Sequence, residues 1–418
     1  MNIRPTRHYE KLTAVLGGGF QGCCIALALA ERGVPVHLYD RAQDLLMRTA
    51  VVNEGKLHLG YVYAGDGGLA TARTMIRGAL AFAPFVQHHL GVDAHWFDRS
   101  TPFTYLIHRD SLLTLDQVAR YLQTVHTLIF EAANDRKDAY FGIELGNPLR
   151  PWAARDLASV YNPALVVGAF DTPEVAIEPV ALARRLRERI AATSLIELRT
   201  RQTVRAVREK RKGLSVLSDG PQGTVQQTYR HVVNALWDSR LAIDATVDQY
   251  PSRSCLYRLK YGIRARYSLQ EHNLPSVTIM LGPFGDLVAY RGGDIYLSWY
   301  PVCMRSVSDS LVPPHWPLEP DESLSSEMVR ESLDAMAKIV RPLHYLDVQN
   351  LTDVSVKGGV IVAWGRTDID DPASELHQRH EIGVTSRGDY HSVDPGKFTM
   401  APLFATITAD RICGSKGQ

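Results

Sequence analysis

A glycine-rich turn between two apolar runs constrains the fold more than any other feature of this sequence. Residues 12–16 form a short strand-type run, and residues 23–32 predict a buried helix. Residues 34–39 predict a second strand, which ends at Asp40. The turn between the first strand and the helix reads Gly17-Gly18-Gly19-Phe20-Gln21-Gly22. The order strand, G-x-G-x-x-G, helix, strand, acid predicts a Rossmann-type α/β unit that binds a dinucleotide.

Each part of this unit has its own expected role. Gly17 allows the tight turn, Gly19 lets a pyrophosphate approach the backbone, and Gly22 lets helix and strand pack closely. The start of the helix offers N–H donors and a positive dipole end to the phosphates. Asp40 lies at the spacing expected of a carboxylate that binds the ribose hydroxyls. The motif does not separate NAD from FAD, and Arg41 fits either a 2′-phosphate contact or a solvated surface position.

The composition excludes several other classes of protein. The 418 residues are 45% apolar and 22% charged. This composition excludes a chain that is mainly disordered, collagen-like or a coiled coil. Because 46 Lys and Arg balance 45 Asp and Glu, we expect no nucleic-acid partner. Five scattered cysteines contain no C-x-x-C pair, so neither a disulfide framework nor a metal site is expected. No apolar run reaches the ~18 residues of a membrane span, and residues 1–8 show no signal-peptide pattern, which predicts a cytoplasmic protein.

Four segments carry a resemblance to a known flavoprotein family. The stretch Asn53-Glu54-Gly55-Lys56-Leu57-His58-Leu59-Gly60-Tyr61-Val62-Tyr63 resembles the N-S-G-x-I-H-x-G-x-Y-Y of FAD-dependent 2-hydroxyacid and glycerol-3-phosphate dehydrogenases. Those enzymes belong to the D-amino-acid oxidase superfamily. Residues 388–399 resemble the G-x-x-x-x-x-G-G-K-x-T that opens the last helix in the glycerol-3-phosphate branch. Residues 171–182 are similar to the family's D-P-x-x-L helix entry, and Arg366 stands in its G-x-R-P.

The sequence departs from the family pattern at three places. Where the family has V-N-A-A-G at the end of a strand, Val232 to Ala235 runs into Leu236-Trp237-Asp238, and the glycine is missing. Asp394-Pro395 replaces part of the usual glycine run, and Thr367 replaces the usual proline. FAD binding is still expected, whereas the substrate stays open.

The resemblance implies an α/β fold in which a Rossmann-like FAD-binding domain is interleaved with a β-rich (α+β) substrate domain. We assign residues 1–65, 150–245 and 350–418 to the FAD-binding domain. Residues 66–149 and 246–349 form the expected substrate domain, in which successive strand patterns follow one another from residue 257.

The resemblance also implies a set of cofactor contacts. We expect FAD to contact Gly17, Gly19, Phe20, Gln21, Gly22, Asp40, Arg41, Asn53, Lys56, Leu57, His58, Val204, Gly396, Lys397, Phe398 and Thr399. The helix that starts near Phe398 is expected to direct its N–H groups at the flavin N1–C2=O edge, where negative charge develops. The alternative is that Gly396 only forms a turn before a terminal helix and that Lys397 is a surface residue.

Four residues are candidates for catalysis or substrate binding. His58 is expected to act as general base or to hydrogen-bond the substrate, because imidazole titrates near working pH. A histidine packed against the flavin or in the core is the alternative. Arg366 is expected to bind a carboxylate or phosphate, in a catalytic as well as a substrate-binding role, and a salt bridge to the nearby aspartates is its alternative. Tyr296 and Tyr300 lie four apart in a strand pattern, so they face one side and are expected to line the pocket, although structural tyrosines fit as well.

The expected function follows from these assignments. An FAD-dependent oxidoreductase would remove a hydride from a CH–OH or CH–NH carbon of a small polar substrate that bears a carboxylate or phosphate. An amine or amino-acid oxidase of the same superfamily and a specialised biosynthetic flavoenzyme are alternatives. A non-catalytic nucleotide-binding protein and an NAD-dependent dehydrogenase also stay open. The electron acceptor, whether oxygen, quinone or protein, is not given by the sequence.

Overall fold

The computed structural model describes residues 12–134, 139–267, 274–346 and 348–414. The amino-terminal residues considered for a signal peptide lie outside this part of the chain. Within the described part, no helix combines the length and the apolar character that a bilayer crossing requires.

The described chain contains eighteen strands and ten α-helices. The strands are β1 (Thr13–Leu16), β2 (Val36–Tyr39), β3 (Phe103–His108), β4 (Arg150–Pro151), β5 (Val166–Asp171), β6 (Ile196–Arg199), β7 (Thr203–Lys210), β8 (Gly213–Gly220), β9 (Gly223–Tyr229), β10 (His231–Asn234), β11 (Cys255–Arg266), β12 (Ser276–Met280), β13 (Gly285–Ala289), β14 (Asp294–Trp299), β15 (Met304–Ser308), β16 (Thr352–Trp364), β17 (Gly383–Arg387) and β18 (Tyr390–Asp394). The helices are α1 (Phe20–Glu31), α2 (Thr49–Val52), α3 (Ala70–Leu90), α4 (Leu115–Ala133), α5 (Ala154–Val160), α6 (Pro179–Ala191), α7 (Arg240–Asp244), α8 (Tyr300–Cys303), α9 (Glu322–Ala337) and α10 (Ala401–Cys413).

A six-stranded sheet holds the glycine-rich turn. Its order is β17-β18-β10-β1-β2-β6, and every neighbouring pair is parallel except β17 with β18. All four residues of β1 and of β2 are buried, which explains why both strands are mostly apolar, with Thr13 and His37 as the polar members. The predicted strand, glycine turn, helix and second strand are confirmed as β1, the turn, α1 and β2.

A nine-stranded mixed sheet forms the second part of the fold. Its order is β15-β11-β14-β13-β12-β3-β5-β4, and β16 pairs with β11 beside this path. The sheets divide the chain at different points from the expected ones, because β4, β5 and β16 belong here although their residues were assigned to the FAD-binding domain. The pairing explains the difference: β5 lies antiparallel to β3, and β16 runs antiparallel along almost the whole of β11. Strands β7 to β9 form a separate three-stranded sheet.

Helices cover both large sheets. One apolar cluster joins α1, α3, α6 and α10 around the six-stranded sheet, and a second packs α9 on the nine-stranded sheet. The side-chain amide of Gln21 donates to the Ala401 carbonyl oxygen at 3.0 Å, which ties the start of α1 to the start of α10. The carboxyl-terminal helix is therefore held against the helix that follows the glycine turn.

Candidate active site

A cavity of about 450 Å³ is lined by residues of both large sheets. Fifteen of the residues expected from the sequence line it: Gly17, Gly19, Phe20, Gln21, Asp40, Arg41, Asn53, Lys56, His58, Val204, Tyr296, Tyr300, Gly396, Lys397 and Phe398. Gly22, Leu57 and Thr399 are buried next to it without lining it. Arg366 alone among the expected residues is exposed and lies away from the lining.

The glycine-rich turn has the shape that a dinucleotide phosphate requires. A Cβ on Gly22 would lie 1.8 Å from the Gly17 carbonyl oxygen, so the close packing of α1 on β1 demands glycine there. A Cβ on Gly19 would meet no atom within 4 Å, so it would project into the open space of the cavity. No side chain caps the start of α1, which leaves a typical anion-binding helix terminus. These residues fit the diphosphate of FAD.

Asp40, directly after β2, lines the cavity beside the glycine-rich turn. Its carboxylate accepts the Gly18 N–H at 2.9 Å and the Ala42 N–H at 2.8 Å. Burial raises the pKa of Asp40. Arg41 is paired with another carboxylate, because both Arg41 and Arg48 contact Asp238, at 3.0 and 3.3 Å.

The segment from Asn53 to His58 enters the cavity through a turn that Asn53 holds. The Asn53 side chain accepts the Gly55 N–H at 2.7 Å and donates to the Thr49 carbonyl oxygen at 2.9 Å. Lys56 is buried at 3% exposure, and its ammonium donates to Asp286 at 2.9 Å and to Thr278. Lys56 is therefore a neutralised cation in the cavity wall rather than a solvent-exposed side chain.

His58 is buried, and its imidazole is not fixed by a hydrogen bond. Its Nδ1 has no hydrogen-bond partner and lies 3.9 Å from the Glu174 carboxylate, while its Nε2 lies 4.0 Å from that of Glu54. Its backbone N–H donates to the Thr399 hydroxyl at 3.0 Å. Burial and the neighbouring cations, first among them Lys397, hold the pKa of His58 well below its usual range. The imidazole is therefore neutral at pH 7, with a lone pair that can accept a hydrogen bond.

Glu174 is a buried carboxylate behind His58 that the sequence reasoning missed. It accepts the Leu59 N–H at 2.6 Å and a hydrogen bond from the Tyr105 hydroxyl, and it is fully shielded from solvent. Burial raises the pKa of Glu174. No sequence pattern marks this residue, since it reaches His58 only through the packing of the segment that follows β5.

Asp394 explains the departure from the glycine run before the last helix. One of its oxygens accepts the Gly396 N–H at 3.1 Å. The other accepts from the Arg240 guanidinium and from the Trp364 indole, both at 3.0 Å. The turn that leads to α10 is thus held by three donors on one carboxylate. It directs Lys397 at the cavity, where burial lowers the pKa of Lys397 to about 8.

The turn after β10 keeps a glycine-like backbone without a glycine. Aligning V-N-A-A-G on Val233 and Asn234 places Trp237 at the position of the missing glycine. Trp237 adopts a φ of 54°, in the left-handed region that glycine favours. Its indole donates to the Val360 carbonyl oxygen at 2.7 Å and lines the cavity. The hydrogen bond to β16 compensates for the unfavourable backbone conformation.

The other half of the cavity is cationic, and the sequence reasoning missed its main residue. Arg258 on β11 is 2% exposed and lines the cavity. One terminal nitrogen donates to the Thr367 carbonyl oxygen at 2.9 Å, but its Nε and Nη1 have no hydrogen-bond partner. Lys260 and Arg379 line the same space. The spacing of Arg258 and Lys260 by two in a strand was the available signal, since such residues share a face.

Arg366 is not brought to the cavity. Its Nε donates to the Ser254 hydroxyl at 2.7 Å on the surface, and the alternative salt bridge to Asp368 is made by Arg258 instead, at 3.4 Å. The residue before it, Gly365, has a φ of 117° at the end of β16, where the chain turns away. Arg366 therefore does not reach the cavity, whereas Arg258, on β11 of the nine-stranded sheet, lines it.

The two expected tyrosines line the cavity from different elements. Tyr296 lies on β14 and is buried, whereas β14 ends at Trp299 and Tyr300 opens α8. The Tyr300 hydroxyl donates to Asp368 at 2.7 Å. Tyr63, which was not selected, is buried in the lining and its hydroxyl has no hydrogen-bond partner.

A Rossmann-type turn that opens into a cavity shared with a second sheet defines the class of two-domain dinucleotide oxidoreductases. The chain belongs to the DAO family of FAD-dependent oxidoreductases, whose family model matches residues 13–411. It is therefore an FAD-dependent oxidoreductase, which confirms the expected fold class, family and cofactor.

The chain is also similar to individual proteins. It is 33% identical to the FAD-dependent monooxygenase FPY4 of Fusarium mangiferae over 75 residues, 18% of this chain and 19% of that protein. The structure is similar to that of glycine oxidase from Geobacillus kaustophilus, with a TM-score of 0.68, 16% identity, and 97% and 95% of the two chains covered. For L-α-glycerophosphate oxidase from Mycoplasma pneumoniae with FAD bound, the TM-score is 0.62, the identity 15% and the coverage 97% and 94%. At these identities the structural likeness concerns the fold alone.

Proposed function

We propose that the chain oxidises a CH–OH or CH–NH carbon of a small substrate that carries a carboxylate or phosphate. The observation that supports this most directly is Arg258, a buried guanidinium in the cavity wall, which the Thr367 carbonyl oxygen and Asp368 hold in place. A guanidinium in a cavity wall can bind an anion by charge-assisted, bidentate hydrogen bonds. Lys260 and Arg379 add positive charge beside it. An anionic group of the substrate is therefore the natural occupant of this end.

His58 is the proposed general base. It is neutral and lines the cavity. It would take one proton from the substrate hydroxyl or ammonium as the C–H bond breaks, which leaves a carbonyl or an iminium. When bound, FAD supplies the acceptor for the hydride. Lys397 provides a cation where negative charge would develop, and the electrons then pass to oxygen, a quinone or a protein.

The CH–NH alternative has an observation of its own in its favour. Glu54 lines the cavity beside His58, and its carboxylate is not paired with Lys56, which is held by Asp286 instead. A carboxylate in this place would stabilise a substrate ammonium. Release of ammonia or an amine product would distinguish amine oxidation from alcohol oxidation.

The cysteines support a cytoplasmic location for this activity. Cys23, Cys24, Cys255 and Cys303 are buried thiols, and within the described residues none of these four forms a disulfide. Free thiols are typical of reducing compartments. Fractionation of the native host, with the flavoprotein followed by antibody, tests this location.

The decisive experiment is an anaerobic reduction screen of the purified holoprotein. Hydroxy acids, amino acids, sugar phosphates and their uncharged analogues are added in turn, and bleaching of the flavin absorbance is followed. We expect bleaching by at least one anionic compound and none by its amide or ester. Bleaching by uncharged compounds alone would contradict the assignment of Arg258, and a flavin that no compound in the screen reduces would contradict the proposed activity. Acid precipitation of the same sample separates bound from covalently attached flavin.

A further inference from the structure

A cluster of two histidines and a glutamate lies outside the cavity, where two helices end. Glu31 is the last residue of α1, and His88 and His89 belong to the last turn of α3. One ligand atom from each residue lies within 4.8 Å of the other two. Within the described parts of the chain, no other group of three such side chains converges in this way. None of the three residues lines the cavity.

The side chains present their donor atoms to a common point. One oxygen of Glu31 meets Nε2 of His88 in a close contact, and the other lies 3.7 Å from Nε2 of His89, beyond hydrogen-bond distance. His89 is 7% exposed and its ring packs on Phe85 at 4.2 Å between centroids, so its position is fixed. His88 and Glu31, at 66% and 47% exposure, leave an open path from solvent.

The charges around the cluster suit a cation. Glu31 supplies a carboxylate whose two oxygens face the two imidazoles. The guanidinium of Arg32 beside it is neutralised by Asp410 at 2.6 Å, while that of Arg189 contributes an unfavourable charge.

We propose that Glu31, His88 and His89 form a site for a divalent transition-metal ion, with Zn²⁺ as the best match. Two imidazoles and one carboxylate are a donor set that Zn²⁺ takes in proteins, and water would complete the tetrahedron. The sequence does not indicate this site, because the three ligands come from two helices and follow no short motif. Binding would displace the exposed contact between His88 and Glu31, and such exposed pairs contribute little. The ion would join the end of α1, whose start forms the dinucleotide turn, to the end of α3.

The test uses tag-free holoprotein that has been stripped with a chelator. Calorimetric titration with Zn²⁺ should show one site, and Co²⁺ should give the intense visible absorption of a four-coordinate ion. His89→Gln, His88→Gln and Glu31→Gln should each weaken Zn²⁺ binding by at least about tenfold. His95→Gln removes an exposed histidine outside the cluster and should leave the Zn²⁺ affinity unchanged.

Flavin content and melting temperature are measured on the same samples. Zn²⁺ should raise the melting temperature of the parent protein and of His95→Gln, but not that of the three cluster variants, since a ligand stabilises only the state that binds it. If no saturable site is found in the parent, or if His95→Gln weakens it as much as His89→Gln, the proposal is overturned. Because these readouts do not depend on catalysis, failure here leaves the proposed activity untouched.

Discussion

The two halves of the cavity are built from different parts of the polypeptide. The dinucleotide half is made mostly of backbone: the glycines after β1, the start of α1, and a carboxylate that accepts main-chain N–H groups. The substrate half is made of side chains such as Arg258, Arg379 and Lys397, which reach one space from separate segments. A backbone site depends on local residue order, whereas a side-chain site depends on which distant strands pair. The difference explains why one half is visible in the sequence and the other is not.

The largest effects, on the free energy of unfolding and on flavin binding, are expected from two glycine substitutions in the dinucleotide half. The two substitutions separate folding from binding. Gly22→Ala forces a Cβ to 1.8 Å from the Gly17 carbonyl oxygen, so we expect a loss of about 3 kcal/mol or more in unfolding free energy. Gly19→Ala meets no protein atom, so it should fold normally and yet lose FAD. Denaturant unfolding and flavin content measure the two outcomes. Normal flavin content in Gly19→Ala would show that the phosphates do not approach this residue.

The next largest effect tests the substrate half. Arg258→Met should raise KM for the anionic substrate by about 100-fold while flavin content stays intact, because a charge-assisted bidentate contact is lost. Arg366→Met is the matched control, since Arg366 lies on the surface, and it should change KM by less than about twofold. Steady-state kinetics on the compound found in the reduction screen decide between them. A larger effect at Arg366 would restore the expectation drawn from the sequence.

Lys397 should have a moderate and pH-dependent influence on kcat/KM. Its pKa of about 8 means that the cation is present below that pH and lost above it. We therefore expect kcat/KM to fall as the pH rises through about 8, by about tenfold. Lys397→Arg keeps its charge to much higher pH and should remove this decline, whereas Lys397→Met should be low at every pH. A decline that persists unchanged in Lys397→Arg would assign it to another group.

The smallest effect is expected at Trp237. Replacement by glycine removes the strain of the left-handed backbone conformation, which costs roughly 1 kcal/mol. It also removes the hydrogen bond to Val360, which contributes about as much. We therefore expect Trp237→Gly to change the dissociation constant of FAD by less than about threefold. Fluorescence titration of the stripped protein with FAD measures it. Loss of flavin binding would mean that the indole itself contacts the cofactor, and the backbone half would then depend on a side chain.

Local elements of the fold were predictable from the sequence. Residues 103–108 alternate in the pattern of a strand and form β3, and Pro179, a residue that suits the first turn of a helix, begins α6. These elements depend on nearby residues, as in α4, where Thr114 and Gln117 form a capping box. The glycine turn with Asp40 was predictable for the same reason.

Pairing between distant segments was not predictable. Nothing in residues 352–364 indicates that they lie beside β11. The family pattern therefore pointed to Arg366, and Arg258 was not considered. Glu174 likewise reaches His58 only through tertiary packing. Membership of a sheet and the direction of a side chain depend on register, which one sequence does not give.

The order of strands in the six-stranded sheet also limits when the molecule can be completed. Strand β1 begins at Thr13, its neighbour β10 ends at Asn234, and the next strand, β18, ends at Asp394. In a chain emerging from the ribosome, β1 can pair with β2 early, but its other edge stays open until β10 has been made, and the free edge of β10 stays open until β18 has been made. Such long-range closure slows folding and exposes unpaired strand edges. We expect a nascent chain that depends on chaperones and acquires its flavin only after β18 has been made.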